Sequence, residues 1–409
     1  MKSSILTSID IGTHSVKILM GKKEHDKKNF EILAMVKTRS MGVRRGEIIK
    51  VNKIAPIIES SIVEIEKQSG IRIRDHVYSI NGSHLSVVNS QGLVSVSRAD
   101  QKISQEDIDR VIRQAESVSL SSNREALELF IKEFIIDGAQ DIKEPLGLHG
   151  RRLELKALLT CVFSPVKENL SKTFDLAGFN IDEQNIVASP IATSEICLTY
   201  EQQELGVVSV DIGAETTGLA VFEDGNLIHC HIIPLGSANI TNDIALGLRT
   251  EIETAERIKK EFGSLISKNK KKNTKTKNEK IRIPEKSLVC PKKVLENIIE
   301  ARVSEIFSHI QKELKKISKQ EILPAGVVLT GGGSLLPGIK EYSKQALKLP
   351  CSIYIPKDIP GLPEDPAFST ALGLLSYAWK GEKRGGEGSG TFSKTSESIK
   401  KIIKLLLPS

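Results

Sequence analysis

Two stretches far apart in the chain share one pattern of apolar and polar positions. ILTSIDIGTHSVKILMG (5–21) and GVVSVDIGAETTGLAVFEDG (206–225) each read as a short apolar run, Asp-Ile-Gly, a small polar turn, a second apolar run and a glycine. Runs this short and this rich in β-branched residues predict strands, so each stretch is a hairpin with a tight turn at its tip. A hairpin repeated in opposite halves predicts two related domains that face each other.

Between the hairpins, 77–98 alternates as strands, SQEDIDRVIRQAESV (104–118) predicts a helix opened by a Ser-x-x-Asp cap, and RRLELKALLTCVF (151–163) returns as strand. That order suits a small inserted α+β module. After the second hairpin, TEIETAERIKKEFG (250–263) sets Ile252, Ala255, Ile258 and Phe262 on one helical face, with Thr250 and Glu253 in capping-box spacing. Helices over 291–319 lead to the strand and glycines of AGVVLTGGGSLLPGI (325–339), and DPAFSTALGLLSYAW (365–379) closes the folded body.

Composition narrows the class. A chain of 409 residues implies two or more domains, and 39% apolar with 27% charged residues is ordinary for a globular protein. The five cysteines are scattered singly with no CxxC pair, so neither a disulfide framework nor a zinc site is expected, and a reducing cytoplasm is the simplest setting. The apolar run at 5–11 is interrupted by Asp10 and followed by no cleavage pattern, so it does not read as a secretion signal. No apolar run approaches the roughly 18 to 20 residues that span a bilayer. The net charge of +7 is concentrated: 268–280 carries +6 and 380–409 carries +4, leaving the rest of the chain at −3. A uniformly basic nucleic-acid surface is therefore not expected. The lysine-rich stretch reads as a solvated loop or as a site for an acidic partner.

Candidate chemistry gathers at the hairpin tips. An aspartate leaving a buried strand, then glycine and hydroxyl residues, suits a Mg-nucleotide: the turn's N–H groups form an anion site and the carboxylate holds Mg²⁺ through its water shell. Asp10, Gly12, Thr13, His14, Ser15 and Lys17 form one such turn; Asp211, Gly213, Thr216 and Thr217 form the other. One Asp-x-Gly hairpin is ordinarily just a turn, but two in matching contexts point to a cleft gripping phosphates from both sides. Gly331, Gly332 and Gly333 permit close backbone approach to a flat ligand, or a helix entry with unusual dihedrals. His14 reads as a turn histidine offering a hydrogen bond or as a general base, and no catalytic residue is firmly indicated.

This trio resembles the nucleotide-binding core of the actin, Hsp70 and sugar-kinase superfamily. More narrowly, RRGEIIKV, INGSHLSVVNSQGLVSVSR, EFIIDGAQDIKEPLGLHGRRLE, IPLGSANITNDIALGLRTEIETAERIKKEFG, LTGGGSLLPGI and DPAFSTALGLL resemble the FtsA family of bacterial cell-division proteins nearly from end to end. The resemblance implies an actin-like two-domain α/β fold with duplicated ribonuclease-H-like halves, subdomain 1B absent and an α+β subdomain 1C inserted. It divides the chain into 1A (1–80), 1C (81–162), 1A again (163–196), 2A (197–240), 2B (241–300), 2A again (301–358) and a return to 1A (359–380). It further implies ATP and Mg as cofactors, self-assembly into filaments, and tethering of FtsZ to the cytoplasmic side of the inner membrane at the septum. The FtsZ C-terminal tail would dock on 2B, and later division proteins would be recruited. Glu256 and Lys259, one helical turn apart, fall on the family's nucleoside-binding pair; a plain surface ion pair has the same spacing. Phosphate loop two departs from the superfamily's usual form at Ala214, Glu215 and Gly218, which weakens any expectation of efficient hydrolysis.

Residues 381–393 read as a flexible linker and 394–409 as an amphipathic helix. Phe392, Ile399, Ile402, Ile403, Leu406 and Leu407 fall within roughly 140° of arc at helical spacing, opposite Lys394, Lys400, Lys401 and Lys404. An interfacial helix, apolar face in the acyl boundary and lysines toward anionic headgroups, fits this pattern; the alternative is a helix docked on the protein's own surface. One such tail binds weakly, while many joined on a filament gain avidity of roughly 10² to 10⁴. A PilM-like pilus-assembly scaffold and a small-molecule kinase of the same superfamily are the competing functions.

Overall fold

The computed structural model describes residues 3–24, 30–265, 280–283 and 288–384. The expected membrane-binding residues Phe392, Ile399, Lys400, Lys401, Ile402, Ile403, Lys404, Leu406 and Leu407 lie outside these, as does the lysine-rich stretch up to 279.

Two five-stranded sheets repeat one topology. In the first, Phe30–Arg39, Ser15–Glu24 and Ser3–Ile11 run antiparallel in turn, and His76–Ile80 and Ile186–Ala188 then add in parallel. In the second, Asn226–Ile233, Thr217–Glu223 and Val207–Ile212 are antiparallel, followed in parallel by Gly326–Thr330 and Cys351–Ile353. The central strands are covered on both faces, so Thr7, Ser8 and Ser209 are buried along with their apolar neighbours, whereas Phe30–Arg39, at an edge, alternates with Ile32, Ala34 and Val36 inward. The chain is thus an actin-like two-domain α/β fold.

A separate four-stranded sheet, in the order Ser86–Ser95, Arg152–Phe163, Arg124–Ile136, Ala139–Ile142, has its own core of Val111, Ile112, Phe134, Leu153 and Leu155. Its helix Gln105–Glu116 opens on the expected box, Ser104 and Asp107 each capping the other's backbone N–H. One expected cap is corrected. The helix Ile252–Phe262 has Glu251, not Thr250, at its N-cap and no side-chain cap bond. Thr250 instead finishes the preceding helix Ser237–Leu248: its N–H donates to Ala245 O at 3.0 Å, past Arg249 in the left-handed region at φ 50°. The glycine-free helix end takes the N–H that the cap would have used.

The helices Ser189–Cys197 and Ser369–Arg384 cross closely. An ideal Cβ on Gly373 would stand 1.8 Å from Ala192 O, so only glycine allows this crossing. They bring Thr193 and Thr370 to Asp211, at the end of the second sheet's central strand, where the site begins.

Candidate functional site: a cleft between two repeated turns

The tips of the two repeated hairpins face a cleft of about 1070 Å³. Each tip closes in the same way: Gly12 N–H donates to Ser15 O at 3.1 Å, and Gly213 N–H to Thr216 O at 2.8 Å. Asp10 pairs with Lys17 across its ladder and Asp211 with Gly218, so the carboxylates occupy corresponding positions.

Their surroundings differ. Asp10 is buried, with Lys17 Nζ 2.8 Å from Oδ2 and Ser79 Oγ donating to Oδ1 at 2.8 Å. Asp211 is held by hydroxyls: Thr370 donates to Oδ2 at 3.0 Å and Thr193 at 3.3 Å. Burial raises the Asp211 carboxyl above the usual carboxylate range, opposed by the Thr370 hydrogen bond and reinforced by the Asp10 charge.

Strand Gly326–Thr330 lies beside the Asp211 strand and delivers the three glycines to the cleft. Gly331 has φ 79° and ψ 165°, and a Cβ there would stand 2.0 Å from Asp211 Oδ1. Gly333 is pressed on Ile212, with a Cβ position 2.4 Å from Cγ2, whereas at Gly332 the nearest atom is Ala367 Cβ at 4.0 Å. Gly332 therefore faces open space, and the backbone there is bare to the cleft.

The far wall comes from the helix Ile252–Phe262. Lys259 Nζ lies 2.6 Å from Glu256 Oε2 and donates to Thr241 Oγ1 at 2.8 Å and to Ser237 O at 3.1 Å. Thr241 Oγ1 also donates to Glu256 Oε2 at 2.5 Å. Burial works against the Glu256 charge, but the Lys259 and Thr241 hydrogen bonds outweigh it and hold this carboxyl below the usual range. The pair is a built part of the cleft wall.

All but one of the expected cleft residues line this space: Asp10, Gly12, Thr13, His14, Ser15, Lys17, Asp211, Gly213, Thr216, Glu256, Lys259 and the three glycines. Thr217 is the exception, fully buried with its hydroxyl donating to Leu235 O at 2.8 Å. His14 sits exposed at its turn, its carbonyl accepting from Ser40 N–H at 3.0 Å. Glu215 is turned out of the cleft, accepting from Arg45 N–H at 2.7 Å. Sequence reasoning did not find Lys37, Arg39, Asn81 or Ser189 on the lining, nor the hydroxyls of Ser79, Thr193 and Thr370 that hold the two carboxylates. Among the described residues no group of three or more His, Cys, Asp or Glu is arranged to hold a metal, and no helix is long and apolar enough to cross a membrane.

Comparison with known proteins agrees with this architecture. The family model described as cell division protein FtsA matches residues 208–373, and that of the SHS2 domain inserted in FtsA matches 82–161. The cell division protein FtsA of Neisseria meningitidis serogroup B is 33% identical over 383 residues, 92% of this chain and 90% of its own. That of Bacillus subtilis is 31% identical over 400 residues, covering 98% and 89%. Among solved structures, the PilM–PilN type IV pilus biogenesis complex aligns at a TM-score of 0.60 and 16% identity, over 91% of this chain and 98% of that one. MreB5 of Spiroplasma citri bound to ADP aligns at 0.54 and 13%, over 93% and 97%. The structural likenesses carry the fold, the sequence likenesses run almost the full length of both chains, and together they place this chain in the FtsA family of cell-division proteins.

Proposed function

We propose that the cleft binds Mg-ATP and that this division protein is a filament-forming scaffold tethering FtsZ to the cytoplasmic face of the membrane at the septum. The observation that carries the reading is the pair of corresponding aspartate turns facing one cleft, with Gly332 open on its third side.

The residues suit such a ligand. The N–H groups that follow Gly12 and Gly213 in the two turns, at Thr13, His14, Ala214 and Glu215, with the turn hydroxyls and Lys17, would hold phosphates. Asp10 and Asp211 would hold Mg²⁺ through its waters, as befits an ion that keeps most of its hydration shell. Glu256 and Lys259 would meet the nucleoside, with Gly331–Gly333 against its flat face. Bound ATP supplies the polyphosphate that both halves can grip at once. Turnover is not part of this reading: at Gly218 an ideal Cβ would stand 3.1 Å from Pro190 Cγ, and the cleft has no carboxylate there.

The membrane and partner assignments rest on sequence. The amphipathic pattern of 394–409 supports an anchor that works in the plural along a filament. In the subdomain division expected from the family, 241–300 would take the FtsZ C-terminal tail. Leu246 in that region is 78% accessible and stands ready as one apolar contact for such a peptide.

Calorimetric titration of Mg-ATP into the full chain tests the cleft, with one site per chain expected and most Mg-dependent affinity lost in Asp10→Asn. A chain that takes up no ATP in the presence of Mg²⁺ would overturn the reading.

A further inference from the structure

The segment RRGEIIKV has no role in the cleft as described so far. In the structure it builds a short ribbon, Val43–Arg44 paired with Glu47–Ile48, around a two-residue turn with Arg45 at φ 49° and Gly46 at φ 79°. Positive φ at both central residues is the hairpin turn whose twist matches its strands. In such a turn the two central N–H groups point outward with no ladder partner.

Here both are taken, by the tips of the two opposed turns. Gly46 N–H donates to Thr13 Oγ1 at 2.9 Å, on the first turn, and Arg45 N–H donates to Glu215 Oε2 at 2.7 Å, on the second. Thr13 belongs to the same half as the ribbon, while Glu215 reaches over from the other half. The fit is close as well as polar: a Cβ on Gly46 would stand 2.9 Å from Asn81 Cβ and 3.3 Å from Thr216 Cγ2. The ribbon is also fixed from behind, with Glu47 Oε1 3.3 Å from His84 Nδ1 and Ile48 O accepting from Asn169 Nδ2 at 3.2 Å. It is a rigid arm anchored to one half, and Glu215 is the other half's grip on it.

We infer that Glu215 is a positioning residue that fastens the Val43–Ile48 ribbon across the phosphate end of the cleft and so sets how fast nucleotide leaves. The inference rests on the reading of the cleft as a nucleotide site. Glu215 touches no ligand itself; it acts by holding the second turn against the first, and opening the cleft requires the Arg45 N–H to let go.

The test uses the full chain as wild type, Glu215→Ala and Glu215→Gln. Three quantities are read: release of a fluorescent ATP analogue chased by excess ATP, the thermal midpoint, and amide hydrogen exchange over 43–48 without nucleotide. Loss of one charge-assisted hydrogen bond at an exposed position, where solvent screening keeps it at the low end of its range, predicts release about 5- to 10-fold faster in Glu215→Ala, with faster exchange over the ribbon. Glu215→Gln, whose amide oxygen still accepts from Arg45, should return both toward wild type, and all three midpoints should agree to about 2 °C because nothing in the core changes. Wild-type release together with wild-type ribbon exchange in Glu215→Ala would overturn the inference, as would a fall in midpoint that Glu215→Gln shares. If wild type fails to bind the analogue, the nucleotide reading fails, and the exchange measurement alone then decides whether Glu215 holds the ribbon.

Discussion

Gly331 and Gly332 are neighbours that should fail in opposite ways. Gly331 at φ 79° and ψ 165° occupies a region essentially reserved for glycine, which costs another residue about 1–3 kcal/mol. Its Cβ would also displace Asp211 Oδ1 from 2.0 Å, disturbing the carboxylate that Thr370 and Thr193 hold; a charge-assisted hydrogen bond is worth about 1.5–3 kcal/mol. Gly331→Ala should therefore destabilise by about 3–5 kcal/mol, a fall in midpoint on the order of 10 °C for a unit of this size. Gly332 has no positive φ and no atom closer than 4.0 Å to its Cβ position, so Gly332→Ala should move the midpoint by less than about 2 °C. Its methyl group nevertheless projects into the cleft where the backbone was bare, and ATP affinity should drop about tenfold or more. Differential scanning fluorimetry and calorimetric titration on both variants give the four numbers. Equal losses of stability would refute the conformational argument for Gly331, and an unchanged affinity in Gly332→Ala would remove Gly332 from the ligand surface.

Other consequences concern the elements around the cleft. Because burial raises the Asp211 carboxyl, its stabilising share is present at low pH and is lost as pH rises through the raised value. Asp211→Asn should thus gain stability relative to wild type on going from pH 4 to pH 7, while losing Mg-dependent ATP affinity; paired melting curves at the two pH values check the sign. Gly373→Ala would drive a methyl group into Ala192 O and part the two crossing helices, at about 1–3 kcal/mol by thermal melting. ATP affinity should fall with it, since Thr193 and Thr370 ride on those helices. Thr241→Val removes a hydroxyl that serves both Glu256 and Lys259 and should cost about 1 kcal/mol, with less than a tenfold loss of affinity in the same titration.

The hairpins and glycines were legible because each is a local pattern: β-branched runs around Asp-x-Gly leave few alternatives, and the duplication doubles the signal. What sequence could not supply was side-chain direction. Thr216 and Thr217 both looked like phosphate ligands, yet Thr216 ends the turn and lines the cleft, while Thr217 begins the strand and turns inward to donate to Leu235 O. Glu215 stood out only as a departure from the superfamily's usual second phosphate loop, because its partner, the Arg45 N–H, lies 170 residues away. Ser79, Thr193 and Thr370 stayed invisible for the same reason: a hydroxyl in a strand or helix says nothing about which distant carboxylate it holds. Thr250 failed differently, since the spacing of a capping box is identical whether the threonine opens one helix or closes the one before it.

The central claim is that a nucleotide-gripping, filament-forming body and a membrane-binding tail act together. Co-sedimentation with anionic liposomes tests it most directly, comparing the full chain with a version ending at Gly390, each with Mg-ATP and without nucleotide. Pelleting of the full chain alone, increased by Mg-ATP, is the predicted result; equal pelleting of both versions, or indifference to nucleotide, would contradict it.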